Sequence, residues 1–238
     1  MIDLYGMSSP NVVKIILALE ELALPYKLHP VDVFSGAQFD PAFTKLNPSA
    51  KVPVIVDSEG PGGKPYTLFE SGAILLYLAE KTGKLLPKDP VGRYDVIQWM
   101  MVQMTGLGPM FGQFEHFMRF APKGNDYSLS RYRTQVSRVL DVLEQRLGGQ
   151  PWLAGGEYSI ADISVFPWAR AVGVLMGKET EAHYPKLMKW VATIAARPAA
   201  AKTIALTDDI RARTTQFDKA APEMLDKLFG RGSFAVAS

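Results

Sequence analysis

Asn47-Pro48-Ser49-Ala50-Lys51-Val52-Pro53-Val54-Ile55-Val56-Asp57, then a glycine-rich interval, then Thr67-Leu68-Phe69-Glu70-Ser71-Gly72-Ala73-Ile74-Leu75-Leu76-Tyr77-Leu78-Ala79-Glu80-Lys81: the rest of the 238-residue chain is organised around this stretch. Val54, Ile55 and Val56 are strand formers, residues 60–63 (Gly-Pro-Gly-Gly) can reverse the chain, and residues 67–69 supply a second strand, so a β-hairpin is expected. Glu70-Ser71-Gly72 ends that strand, and Ser71 is placed to cap a helix whose inner side carries Ala73, Ile74, Leu75, Leu78 and Ala79. A strand that feeds directly into a helix leaves the first helical N–H groups unpaired, a setting that favours a carboxylate or phosphate. Pro53 at the strand entrance has no N–H to donate. A cis bond there would turn the backbone of Val52 outward to pair with an extended, peptide-like ligand. Singly, these pieces have plainer readings: Ser71 as a cap, Pro53 as a strand-entry proline, Lys51 as a solvated charge.

Outward from this stretch, the pattern is equally ordered. Residues 2–6 alternate and stop at Gly6, and residues 11–22 repeat apolar side chains at helical spacing behind Ser9-Pro10, an N-cap followed by a first-turn proline. Residues 26–33 read as a second strand, parallel to the first, and residues 40–46 as a short helix or turn. The order is therefore βαβαββα, a thioredoxin-like layout with a mixed four-stranded sheet. Gly83, Pro87 and Pro90 interrupt the apolar period and place a linker at 83–90. Everything beyond it is helical, giving an α/β domain at 1–82, an all-α domain at 91–203 and a C-terminal extension at 204–238. Pro109 is expected to kink or interrupt the helix running through residues 91–120. Ser159-Ile160-Ala161-Asp162 is a capping-box variant, in which Asp162 is a cap acceptor. The extension has only a weak period around residues 224–229 and is expected to wrap on the surface or be partly disordered.

Composition narrows the function. With 26 Lys and Arg against 24 Asp and Glu, and no dense basic run, nucleic acid is not expected as a partner. Residues 1–5 lack the features of a secretory signal and no apolar run approaches membrane-spanning length, so a cytoplasmic, membrane-free protein is expected. His29, His116 and His183 lack ligand spacing, and there is no cysteine. No metal is therefore expected, and no disulfide or protein thiol nucleophile can form. Any thiol chemistry must use a sulfur that a ligand brings.

Asn-Pro-x-x-Lys-Val-Pro-x-Ile followed by a hairpin and Glu-Ser-x-Ala-Ile-x-x-Tyr-Leu resembles the glutathione-binding half of the cytosolic glutathione transferases, and the resemblance runs through Ser159-Ile160-Ala161-Asp162 over roughly residues 1–200. Ser9-Pro10-Asn11, Gly36-Ala37-Gln38-Phe39, Leu107-Gly108-Pro109-Met110 and Arg131-Tyr132 are similar to the bacterial nu class, which is associated with glutathione-dependent disulfide reduction. From spacing alone Ser9 is an N-cap and Asn11 a polar first-turn residue. The resemblance makes them the catalytic pair, whose hydroxyl and amide stabilise the glutathione thiolate; Ser9 stands where that class more often has Thr. It implies further that Glu70 takes the γ-glutamyl ammonium, Ser71 and the helix end its carboxylate, Val52 the cysteinyl backbone, and Gln38 and Lys51 the glycyl carboxylate. Arg131 would reach the site across a homodimer interface, although the sequence alone equally describes a solvated arginine. Met110, Phe111 and Phe114 would line the second-substrate cleft, or else form core. Tyr5, the sulfur ligand of other branches, is assigned to packing. The resemblance implies glutathione as co-substrate and, as second substrate, a disulfide or, more weakly, an electrophile or peroxide. The alternatives are a transferase that conjugates electrophiles and a non-catalytic regulatory or chaperone-like protein on the same fold.

Overall fold

Ile2, Leu4 and Gly6 are buried and Asp3 and Tyr5 partly accessible along β1 (Ile2–Gly6), a two-residue period that puts one face of the strand on the core. The structure, a computed structural model, describes residues 1–236. Behind β1, α1 (Pro10–Glu21) is enclosed from Val12 to Leu19, each of these residues at most 6 % exposed. Burying aliphatic side chains of this size contributes about 1.5–3 kcal/mol apiece. The approach of α1 to β1 requires Gly6: a Cβ there would stand 2.5 Å from Val12 Cγ1.

β2 (Tyr26–Pro30) pairs parallel with β1, Ile2 opposite Tyr26 and Gly6 opposite Pro30. It stops three residues short of the expected end because β1 itself ends at Gly6, whose carbonyl accepts the Val31 N–H at 2.8 Å just past the ladder. The short α2 (Pro41–Leu46) is capped by Asp40, whose Oδ1 accepts the Ala42 N–H at 2.7 Å. The hairpin is formed by β3 (Val54–Asp57) and β4 (Tyr66–Phe69), antiparallel with Val54 opposite Phe69. Its turn closes through Gly60, where a Cβ would lie 2.3 Å from that of Tyr66. The sheet is mixed and four-stranded in the order β2-β1-β3-β4, and α3 (Ser71–Thr82) completes the βαβαββα layout.

By its internal contacts the chain forms two compact units: residues 1–74 joined by the chain from Ala201 onward, and residues 75–200. The second unit contains α4 (Pro90–Met101), α5 (Gly108–Glu115), α6 (Asp126–Leu147), α7 (Ile160–Ala169), α8 (Val172–Met176) and α9 (Pro185–Ala195). Pro109 does not break the helical path. The chain passes through a π-helical segment at Val102–Leu107 and re-enters α-helix with the proline in its first turn, where no N–H is needed. A second π segment spans His116–Phe120. Asp162 ties this unit together, its Oδ1 accepting the Leu153 N–H at 3.0 Å and the Trp190 Nε1–H at 3.1 Å. Its Oδ2 accepts the Ser159 N–H at 3.0 Å, the reciprocal bond of the capping box. Burial pushes the Asp162 carboxyl upward, while the bonds from Leu153, Ser159 and Trp190 pull it down.

The helix α10 (Pro198–Arg213) leads back to the first unit, where α11 (Pro222–Phe229) follows. The extension thus carries more helix than the weak period around residues 224–229 implied, and it lies with the first unit. Its exposed residues are polar at most positions, which hides the packing of the rest from a hydrophobic-period reading.

Candidate active site

The start of α1 is built so that its polar side chains are not consumed by the helix. Ser9 holds the cap position with its backbone, its carbonyl accepting from the N–H groups of Val12 at 3.0 Å and Val13 at 2.9 Å. Its hydroxyl makes no capping bond. An N-cap serine ordinarily uses that oxygen on the second or third helical N–H, and here that bond is absent. Asn11, partly accessible, follows Pro10 at the same end. Tyr5 is in packing, stacked on His29 with centroids 4.7 Å apart and edge-on to Phe43.

The second component is the turn before β3. The Asn47 side chain is 2 % exposed and spans this turn: its Nδ2–H donates to the Lys51 carbonyl at 2.7 Å and its Oδ1 accepts the Ser49 N–H at 2.9 Å. Ala50 adopts φ 51° within it. The Val52–Pro53 bond is cis. Sheet pairing begins only at Val54, so Val52 lies outside the ladder, while its side chain packs on the cluster of Val31, Phe43 and Val54. Lys51 is exposed beside it.

At the third component, the structure shifts a role by one residue. Glu70, left-handed at φ 70°, holds the cap position, its carbonyl accepting from Ile74 N–H at 2.9 Å, and Ser71 is the first helical residue. The Glu70 side chain is exposed and Ser71 is 4 % exposed. The Glu70 charge acts on Lys14, a fully buried lysine of α1. Burial lowers the Lys14 pKa to about 7, and Glu70 offsets part of that fall.

Gln38 lies in the 3-10 turn Ala37–Phe39. It is 1 % exposed, and neither its Oε1 nor its Nε2 has a hydrogen-bond partner among the described residues. Buried amides are nearly always paired, and Gln38 is an exception to that among the described residues.

Ser9, Asn11, Gln38, Lys51, Val52, Glu70 and Ser71 all belong to the first unit. Arg131, exposed on α6, and Met110 and Phe114 on α5 belong to the second. Of the two readings of Phe111, cleft lining or core, its burial fits the core: it is fully buried, its ring centroid 6.4 Å from that of Phe114 and 6.1 Å from that of Trp168. Phe114 is also nearly enclosed but borders a pocket of about 320 Å³ with Met118, Leu129, Ser130 and Arg133.

Among the described residues no cluster of His, Asp or Glu could hold a metal, and no helix is long and apolar enough to cross a membrane. A cysteine-free site of this kind can position and ionise a thiol but cannot supply one. Residues 8–81 match the family model for the glutathione S-transferase N-terminal domain, and residues 99–198 match the C-terminal domain model of the same family. The chain belongs to the glutathione S-transferase family.

Among glutathione S-transferases, it is 46 % identical over 205 residues to the disulfide-bond oxidoreductase YfcG of Escherichia coli, covering 86 % of this chain and 94 % of that one. A glutathione transferase from Burkholderia graminis, solved with two glutathione molecules bound per subunit, is 47 % identical with a TM-score of 0.82, over 85 % of this chain and 87 % of that one. Another from Pseudomonas putida, with one glutathione disulfide bound per subunit, is 41 % identical with a TM-score of 0.82, over 85 % and 90 %. The sequence reading missed Asn47 as the clasp of the Lys51 turn and Lys14 as a buried charge. For Lys14 a signal was present: it is the one charge in the run Val12-Val13-Lys14-Ile15-Ile16-Leu17-Ala18-Leu19.

Proposed function

We propose that the protein is a glutathione-dependent disulfide reductase of the nu type. Its bound glutathione thiolate attacks one sulfur of a disulfide, forming a mixed disulfide and releasing the other sulfur as a thiolate that takes up a proton. A second glutathione thiolate then attacks the glutathione sulfur of the mixed disulfide, releasing glutathione disulfide and the second substrate thiol. The observation that carries this reading is the Ser9 hydroxyl, which stands at a helix N-terminus and is not spent on capping. With the Asn11 amide and the positive end of α1 it favours the sulfur anion over the thiol.

In this reading Glu70 takes the tripeptide's ammonium, Ser71 the γ-glutamyl carboxylate, Val52 the cysteinyl backbone, and Gln38 with Lys51 the glycyl end. The binding of two glutathiones or of glutathione disulfide by the solved relatives supports the two-step scheme. Arg131, from the partner of a homodimer, adds a guanidinium for a carboxylate, and the cytoplasm supplies reduced glutathione. The test is turnover of a model disulfide by the purified protein with and without glutathione. Turnover should be absent without it, and activity that persists would sink the scheme.

A further inference from the structure

The C-terminal segment beyond α10 lies outside both family-model matches, yet it docks on the loop that carries Gln38. The Thr215 N–H and Oγ1–H both donate to Asp32 Oδ2, at 3.0 and 2.7 Å. Phe217 packs edge-on against Phe34 at 6.0 Å and against Phe229 of α11 at 6.5 Å. The Met224 sulfur lies so close to Gly36 that a Cβ there would meet it at 2.8 Å. Lys227 Nζ lies 4.5 Å from the Phe39 ring centroid. The segment is itself braced, Arg231 donating from its N–H to the Asp226 carbonyl at 2.8 Å and from Nε to Asp226 Oδ1 at 3.0 Å. Gly36 and Phe39 lie on either side of Gln38 in the chain, so its turn is held from both sides by residues outside both family-model matches.

From this arrangement we infer that the segment 215–231 is a positioning element of the glutathione site, holding the 32–39 loop so that Gln38 meets the tripeptide's glycyl end. The inference rests on the reading of Gln38 given above. An amide with donor and acceptor both unmatched complements a group that offers both, and the glycyl residue offers an N–H and a carboxylate. A loop this rich in turns has little sheet or helix pairing of its own to fix it, and the bonds from Thr215 and the contacts of Phe217 and Met224 supply the missing restraint. The chain thereby discriminates for the terminal glycine without any change at the sulfur.

The experiment is calorimetric titration of the full-length protein and its Phe217→Ala, Thr215→Val and Gln38→Ala variants with glutathione and with γ-glutamylcysteine, which lacks the glycine. Wild type should prefer glutathione. Phe217→Ala and the milder Thr215→Val should each weaken glutathione binding, Phe217→Ala by about tenfold, the loss of one hydrogen bond to a charged group, and leave γ-glutamylcysteine binding unchanged. In a Gln38→Ala background the same substitutions should cost nothing more. Unchanged or tightened glutathione binding in the two extension variants overturns the inference, as does an equal loss for both ligands. If Gln38→Ala alone leaves glutathione affinity intact, the assignment of Gln38 itself fails, and the inference falls with it; if Gln38→Ala weakens binding and the extension variants do not, only the inference falls.

Discussion

A single hydroxyl separates two readings of the α1 N-terminus. Were Ser9 a cap through its side chain, its removal would cost about 1 kcal/mol of stability. Because its oxygen makes no capping bond, Ser9→Ala should leave the denaturation midpoint within about 0.5 kcal/mol of wild type, as for an ordinary surface change. It should instead raise the pH at which bound glutathione ionises, by about 1 unit for one lost hydrogen bond to the anion, read from thiolate absorbance. Asn11→Ala should act in the same direction. Lys14 makes a second prediction. Its folded-state pKa is near 7 against an ordinary 10.5, so between these values the unfolded chain holds the extra proton. Stability should therefore rise with pH across that window, by up to about 1.4 kcal/mol per pH unit, and be lost as the pH falls to 7. Lys14→Met should flatten that slope, as measured by urea denaturation at a series of pH values.

Elements were legible where one residue's chemistry decides them and illegible where neighbours do. Asp162 was readable as a cap because Ser and Asp three apart before an apolar run have few other uses. What spacing did not reveal is that it also accepts from Leu153 and Trp190, from outside α7. Asp162→Ala would leave several buried donors unanswered and should lower stability by about 3 kcal/mol, seen as a shift in denaturation midpoint. The π segments around Gly108-Pro109 escaped notice for the opposite reason: a proline predicts trouble for an α-helix, but the extra residue of a π turn is chosen by packing, not by local sequence. Phe111 likewise has the same composition signal whether it lines a cleft or fills a core, and Trp168 beside it made it core.

At the scale of the molecule, the βαβαββα order and the all-helical character of the middle of the chain followed from periodicity, since a large core stamps its period on every element that faces it. The destination of the C-terminal extension did not, because its anchors are four separate side chains, Thr215, Phe217, Met224 and Lys227, meeting a turn nearly two hundred residues earlier. A chain without cysteine makes one further global prediction: treating the purified protein with an alkylating reagent and then removing the reagent should leave glutathione-dependent activity undiminished, and inactivation would show that some other nucleophile is essential. The first compact unit joins residues 1–74 to the chain from Ala201 onward. A ribosome making this protein therefore emits the sheet well before the piece that seats against it, so the nascent sheet should stay open to proteases until the chain beyond Ala201 has emerged.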